Sequence, residues 1–329
     1  MTSRSEKTQP RIYDGVFRGK KAWTRATIRA QDYLVPIPPE AMSEIHRFVD
    51  WLRRNPLQTE LLSEADHAFP QTRRLMRRVK RILTHGAGFA LLDRLPVKAF
   101  TKDELKAVYW VLSRMIARPV AQSFSGTMLY DVIDTGRKKS PKVRADLTRE
   151  ELDFHTDYSY NRAPPFIGLQ VLRTSKSGGR SSVASLNTAH NEMRRRHPEL
   201  LARLYRPFYL NRYGEHAPGD PLASRHPVFA YDGKTVFGRF NPRNITAGYD
   251  LMGEPLDQQG ADAIEALSSV LEDPARHLNF QLKPGQVQYL MNGRCAHKRT
   301  EYQDHPEPDR RRHLVRIFLR DEGRRSYNG

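Results

Sequence analysis

From Pro39 onward apolar residues recur at helical spacing, with Met42, Ile45, Phe48, Val49 and Leu52 on one stripe. That repeat predicts a helix burying one face. A second helix is predicted from Thr72 to Leu83, turning Leu75, Val79, Ile82 and Leu83 inward and carrying the basic run Arg73, Arg74, Arg77, Arg78, Lys80 and Arg81. A short apolar strand, Gly88 to Leu92, comes next. The third helix is opened by Thr101 and Glu104 in capping-box spacing, with Leu105, Val108, Leu112 and Met115 on its buried side. The first third of the chain is therefore expected to be mainly helical.

Beyond Ser123 the texture changes to short β-like runs separated by Gly, Pro and Asp clusters. These are Thr127–Val132, Phe166–Leu172, Ser182–Leu186, Pro227–Tyr231, Thr235–Phe240, Leu278–Leu282, Val287–Met291 and Leu314–Leu319. Helical stretches at Thr188–Tyr205 and Gln258–Leu271 interrupt them, forming an inserted helical region near 188–275. Strands without regular βαβ alternation suggest an α+β fold, a two-sheet jelly roll or barrel with helices outside. Residues 1–35 are polar, basic and irregular and are expected to be an arm or a partner-contacting extension. Residues 36–329 are expected to be a single domain, because strands from both halves would have to share a core.

Composition narrows the chemistry. The single cysteine, Cys295, excludes an intramolecular disulfide framework and any multi-cysteine metal site, so a metal here must use nitrogen and oxygen. Cys295 itself is expected to be a packed thiol. No apolar run approaches the roughly 20 residues that cross a bilayer, and no apolar stretch follows the basic N-terminus, so a cytoplasmic protein without a membrane partner is expected. The net charge of +18 raises nucleic acid as a partner. The charge lies in the N-terminal segment, one helix face and the stretch Arg137–Arg149, with no accompanying nucleic-acid motif, and solvated surface is the simpler account.

The informative segment is Asp153-Phe154-His155-Thr156-Asp157-Tyr158. In an extended strand positions 155 and 157 project to one face, where an imidazole and a carboxylate can reach one ion. The candidate third ligand is His297, in Met291-Asn292-Gly293-Arg294-Cys295-Ala296-His297 after the predicted strand Val287–Met291. Two histidines and a carboxylate suit Fe(II) with open positions for an oxoacid and dioxygen, although zinc remains compatible with the three residues alone. Arg312 and Arg316, in Arg312-His313-Leu314-Val315-Arg316, share one face of a predicted strand with Leu314. A guanidinium fork matches a carboxylate with two parallel hydrogen bonds. Tyr158, Tyr160 and Phe240 are candidates to line a substrate pocket or to belong to the core. His190, His197, His216, His226 and His277 are read as structural.

Four blocks stand in a telling order: "FHTDYSYNRAPPFIGLQVLRTSKSGGRSSVASLNTAHNEM", "RHPVFAYDGKTVFGRFNPRNI", "LKPGQVQYLMNGRCAHKRTEYQD" and "PEPDRRRHLVRIFLRD". Over roughly residues 85–320 the chain thereby resembles the taurine dioxygenase-like (TauD/TfdA) family of Fe(II)/2-oxoglutarate-dependent oxygenases. The resemblance implies a double-stranded β-helix (jelly-roll) core and iron ligands at His155, Asp157 and His297. It implies that Arg312 binds the distal carboxylate of 2-oxoglutarate with help from Ser181, where relatives commonly have threonine, and that Arg316 meets an anionic group of the primary substrate. The implied reaction uses dioxygen to decarboxylate 2-oxoglutarate to succinate and CO₂, coupled to hydroxylation or related C–H oxidation of a small polar metabolite, carboxylate- or amino-acid-like. Related halogenases replace the carboxylate ligand with a small residue, so Asp157 points to oxygenation. The same chemistry on a nucleic acid or protein, and a non-catalytic binding relative, are the alternatives; homo-oligomerisation is left open.

Overall fold

The computed structural model describes residues 10–138 and 145–326; residues 1–9 of the expected extension and 139–144 of the basic loop lie outside the described residues. Three helices, Pro39–Arg54, Pro70–His85 and Lys102–Arg114, occupy the N-terminal part as the periodicity predicts. Each has a local reason to begin where it does. Pro39 and Pro70 take first-turn positions, where a missing N–H costs nothing, and Thr101 with Glu104 forms the predicted capping box. The second helix also receives a cap from the first. Glu44, 4% exposed, accepts hydrogen bonds from Gln71 N at 2.9 Å and Thr72 N at 2.8 Å, placing a carboxylate on the first-turn donors.

Two sheets follow. The larger runs in the order Leu34–Pro36, Phe89–Asp93, Val287–Met291, Phe166–Arg173, His313–Leu319 and Pro119–Val120, with Leu129–Val132 also paired to His313–Leu319. The smaller runs His277–Phe280, Ser181–Ser185, Cys295–Arg299, Leu152–His155. Alternation along His313–Leu319 divides its surroundings: Val315, Ile317 and Leu319 pack with the three helices, while Leu314 and Phe318 join clusters on the opposite face. That opposite face meets the smaller sheet. Phe89, Ile167, Leu290 and Phe318 of one sheet share a core with Phe154, Val183, Ala184 and Ala296 of the other, and Ser181 Oγ donates to Gln288 Oε1 across the gap at 3.1 Å.

On the helical side Tyr109, Trp110 and Tyr289 are fully buried, each contributing on the order of 3 kcal/mol relative to exposure. Gly168 is required there. A Cβ at that position would meet the Tyr109 hydroxyl and lie 2.9 Å from Tyr289 Cε1, so only a glycine lets the third helix approach the sheet.

From residue 10 the N-terminal stretch lies on the core, and it ends in the strand Leu34–Pro36 at the edge of the larger sheet. Trp23, 3% exposed, donates from Nε1 to Ala87 O at 2.8 Å, and its carbonyl accepts from Thr188 Oγ1 at 2.7 Å. The inserted region holds the helices Leu186–Arg196, Pro198–Leu204 and Gln258–Glu272. It also contains a helix absent from the sequence reading, Pro242–Met252. Its signals are local: Asn241 caps Asn244 N, Pro242 takes the first turn, and Gly253 closes it at φ +67°. No helix among the described residues is long and apolar enough to cross a membrane.

Candidate functional site

The strand Leu152–His155 ends on His155, and its antiparallel neighbour Cys295–Arg299 sets His297 directly opposite. Cross-strand partners share a face, so the two imidazoles meet, with ring centroids 4.4 Å apart. Asp157 arrives differently from the sequence expectation. The strand does not continue through it, so the same-face alternation inferred for positions 155 and 157 is not what aims its carboxylate. The chain turns instead, with Tyr158 at φ +56° immediately after, a left-handed conformation that side chains of its size adopt only when the surroundings impose it. Asn292 imposes it in part. Its fully buried carboxamide accepts from Asp157 N and donates to Asp157 O, both at 2.9 Å, fixing the backbone on either side of the carboxylate.

The outcome is a compact donor set. Asp157 Oδ1 lies 3.3 Å from His155 Nε2 and 3.6 Å from His297 Nε2, and one ligand atom from each residue falls within 4.8 Å of the others. His155 Nδ1 faces the Asp153 carbonyl at 2.8 Å; a proton held there leaves Nε2 free to donate its lone pair. Burial pushes the His297 imidazole down to about 3, with neighbouring His155 adding to it, so it stands neutral, the form that binds metal. Burial works against charge on Asp157 as well, but Arg316, His155 and His297 outweigh it and hold the carboxyl well below its usual range. Two neutral-capable imidazoles and one ionised carboxylate, all aimed at one point, fit a divalent cation of nitrogen and oxygen preference.

Cavities open on both sides of this triad. One is lined by Ser181, His297, Arg299, Arg312, Leu169, Leu282 and Leu314. The other is lined by Tyr158, Tyr160, Tyr213, Asn241, Arg243, Asn244 and Phe318. Asp146, Leu152, His155, Asp157 and Arg316 border both, so two of the three donors stand in their common wall, while His297 faces the first cavity alone. Arg316 is anchored there: Nε donates to Gln122 Oε1 at 2.9 Å, and Nη1 stands 3.3 Å from both Asp157 Oδ2 and Asp146 Oδ2. Its Nη2 is buried with no hydrogen-bond partner among the described residues. Arg312 precedes the strand His313–Leu319 and is 7% exposed. Its backbone N–H is tied to Asp304 Oδ1 at 2.7 Å, and its Nη1 is buried without a hydrogen-bond partner among the described residues.

The expected site residues are thus brought together with one exception. Phe240 is fully buried in the core and lines neither lobe; its backbone carbonyl takes a hydrogen bond from Thr156 N at 2.6 Å, bracing the segment between His155 and Asp157. Tyr158 and Tyr160 line the second lobe and touch each other, ring centroids 4.9 Å apart. His190, His197, His216, His226 and His277 line neither lobe. Cys295 is packed beneath Gly88 and Ala87, and burial pushes its thiol up to about 12, leaving no thiolate near neutral pH. The sequence reading missed Asn292, Gln122, Asp146, Asn244 and Arg299. Of these Arg299 carried a signal, since it stands two residues beyond His297 on the same strand face.

Comparison with known proteins agrees with this geometry. Residues 54–318 match the family described as taurine catabolism dioxygenase TauD, TfdA family. The FR-33289 synthase of Streptomyces rubellomurinus is 27% identical over 315 residues, covering 94% of this chain and 91% of the relative. The taurine hydroxylase-like protein SAT17 of Stachybotrys chartarum is 22% identical over 321 residues, covering 94% and 80%. Among solved structures, an asparagine oxygenase complexed with Fe(II), 3-hydroxyasparagine and succinate superposes with a TM-score of 0.66 at 16% identity, covering 88% of this chain and 94% of that one. The non-heme iron oxygenase OrfP, complexed with Fe and alpha-ketoglutaric acid, gives 0.62 at 14% identity with the same coverage, so both share the fold. With most of its length matching, the chain belongs to the TauD, TfdA family and is an Fe(II)/2-oxoglutarate-dependent dioxygenase.

Proposed function

We propose that this enzyme hydroxylates a small polar metabolite bearing a carboxylate or an amino-acid-like head, with 2-oxoglutarate in the Arg312 lobe and the metabolite in the tyrosine-lined lobe. The observation that carries this reading is the shared wall: His155 and Asp157 of the metal-binding triad border two cavities of different chemistry, and His297 borders the Arg312 lobe. We also read the two facing sheets as a double-stranded β-helix, and residues 36–329 as one catalytic unit, because Phe89–Asp93 and Val287–Met291 pair within a single sheet.

His155, Asp157 and His297 would hold the iron, Arg312 and Ser181 the distal carboxylate of 2-oxoglutarate. Iron with 2-oxoglutarate and dioxygen supplies the oxidising power, yielding succinate and CO₂; the chain's task is placement. Arg316, fixed by Gln122 and Asp146, keeps Asp157 ionised and offers Nη2 toward an anion. Asn244 adds a second polar contact: it is 1% exposed, lines the metabolite lobe, and neither carboxamide atom has a hydrogen-bond partner among the described residues. Tyr158, Tyr160 and Phe318 give that lobe apolar walls that exclude water from the carbon to be oxidised. The asparagine oxygenase relative is bound to a hydroxyasparagine and OrfP to L-Arg, amino-acid ligands that suit a lobe of this character.

The test is a panel of amino acids and small carboxylates, each incubated with Fe(II)-reconstituted enzyme, oxygen and 2-oxoglutarate. Substrate-dependent succinate release by a member of the panel supports the reading. Release stimulated only by oligonucleotides or proteins contradicts it.

A further inference from the structure

Arg299 faces Ser181 directly across the ladder between Cys295–Arg299 and Ser181–Ser185, and alternation places it on the same side as His297. Both relations aim it into the Arg312 lobe, which it lines. The side chain is 6% exposed. Nη2 donates to the carbonyl oxygens of Thr148, at 2.8 Å, and Glu150, while Nε and Nη1 are buried with no hydrogen-bond partner among the described residues.

Arg312 is its neighbour in kind. The Tyr302 ring lies 4.8 Å from the Arg299 guanidinium carbon and 5.0 Å from that of Arg312. Among the described residues neither guanidinium has a carboxylate within 4.0 Å. Asp146 borders the same lobe but is engaged by Arg316, and buried N–H groups left without an acceptor are costly. A peg for the Thr148–Glu150 segment explains only Nη2. The two remaining donors, with no carboxylate in ion-pair contact, call for an anion in the lobe, and one carboxylate can accept from several guanidinium N–H groups at once.

We propose that Arg299 is a second binding residue for the cosubstrate, donating to the distal carboxylate of 2-oxoglutarate beside Arg312 and Ser181. The inference rests on reading this lobe as the 2-oxoglutarate site. It makes the lobe selective for an oxoacid with a second carboxylate, beyond what one arginine gives.

Anaerobic calorimetric titration of the Fe(II)-loaded protein tests it without turnover, using 2-oxoglutarate and 2-oxopentanoate, which has the same chelating end and no distal carboxylate. Arg299→Gln should weaken 2-oxoglutarate binding about 10- to 100-fold, the range for a lost charge-assisted hydrogen bond, and change 2-oxopentanoate binding less than about twofold. Arg299→Lys, which keeps the charge, should fall between wild type and Arg299→Gln, and decides the matter if the glutamine variant does not fold. Equal weakening of both acids would assign Arg299 to holding the Thr148–Glu150 segment and overturn the proposal, as would unchanged binding of both. A wild-type protein that binds neither acid overturns the assignment of the lobe itself, whereas wild-type binding that the variants leave intact overturns only the role of Arg299.

Discussion

Replacing Asn292 with alanine probes how the carboxylate ligand is held. The carboxamide makes two hydrogen bonds to the backbone of Asp157, both 2.9 Å, and no other described residue bonds those groups. Alanine removes both bonds and strands a buried N–H and a buried C=O, at about 1–3 kcal/mol for each orphaned group. The expected loss is therefore about 2–6 kcal/mol if the loop stays in place. Relaxation of the Tyr158 turn, held at φ +56°, would recover part of this by letting Asp157 swing away from the two histidines. Either way metal binding suffers, by about 10- to 100-fold if Asn292 behaves as groups that orient metal ligands do. Chemical denaturation of the metal-free protein gives the stability term, and Fe(II) or Mn(II) titration gives the affinity term. Asn292→Asp is the informative companion, since it preserves an acceptor for Asp157 N–H and loses the donor to Asp157 O. Metal affinity within twofold of wild type in the alanine variant, together with unchanged stability, would refute the view that Asn292 positions Asp157.

Other expectations follow from the same geometry. Glu44→Ala should cost about 2–3 kcal/mol in denaturant unfolding because Gln71 N and Thr72 N lose their buried acceptor, while metal affinity stays unchanged. Burial, with help from Arg194, lowers His190 to about 4, below the ~6.5 of an unfolded histidine. Between those values the unfolded chain binds the proton first, so stability falls as pH falls, by about 2 kcal/mol from pH 7.5 to 5 for this group. His190→Phe, which keeps a ring in place, should flatten the unfolding free energy over that interval; an unchanged slope would exclude His190 as its source. Asn244→Leu should raise the KM for the primary substrate about tenfold and leave 2-oxoglutarate binding intact, since Asn244 borders only the metabolite lobe.

Much of this architecture was legible because its determinants are local. The Thr101–Glu104 box, the apolar stripe of Pro39–Arg54 and the strand Val287–Met291 stand where the pattern places them, and each is specified by residues within a few positions. His155, Asp157 and His297 were recognisable as a set through the order of surrounding motifs. What escaped was the polar scaffolding, which acquires its role only through contacts far apart in sequence. Asn292 meets Asp157 across 135 positions, and Gln122 meets Arg316 across 194. Phe240 looked like a pocket residue because an aromatic near a motif reads equally as core, and packing decided it. The helix Pro242–Met252 was obscured by Gly248, which a strong helix former would ordinarily replace. A Cβ there would lie 2.7 Å from the backbone of Tyr209, so tertiary packing selected glycine over propensity. The strand Cys295–Arg299 was hidden by its three consecutive basic-type residues, His297, Lys298 and Arg299, two of which turn inward to the site.

If the metal triad serves an oxoacid lobe, 2-oxoglutarate binding depends on Fe(II), which anaerobic titration in the presence and absence of the metal measures. The account predicts saturable one-site binding that requires the metal, is lost in His297→Ala, and is weakened about 10- to 100-fold or more in Arg312→Leu. Tight binding that needs no metal, or that survives both substitutions, would contradict it.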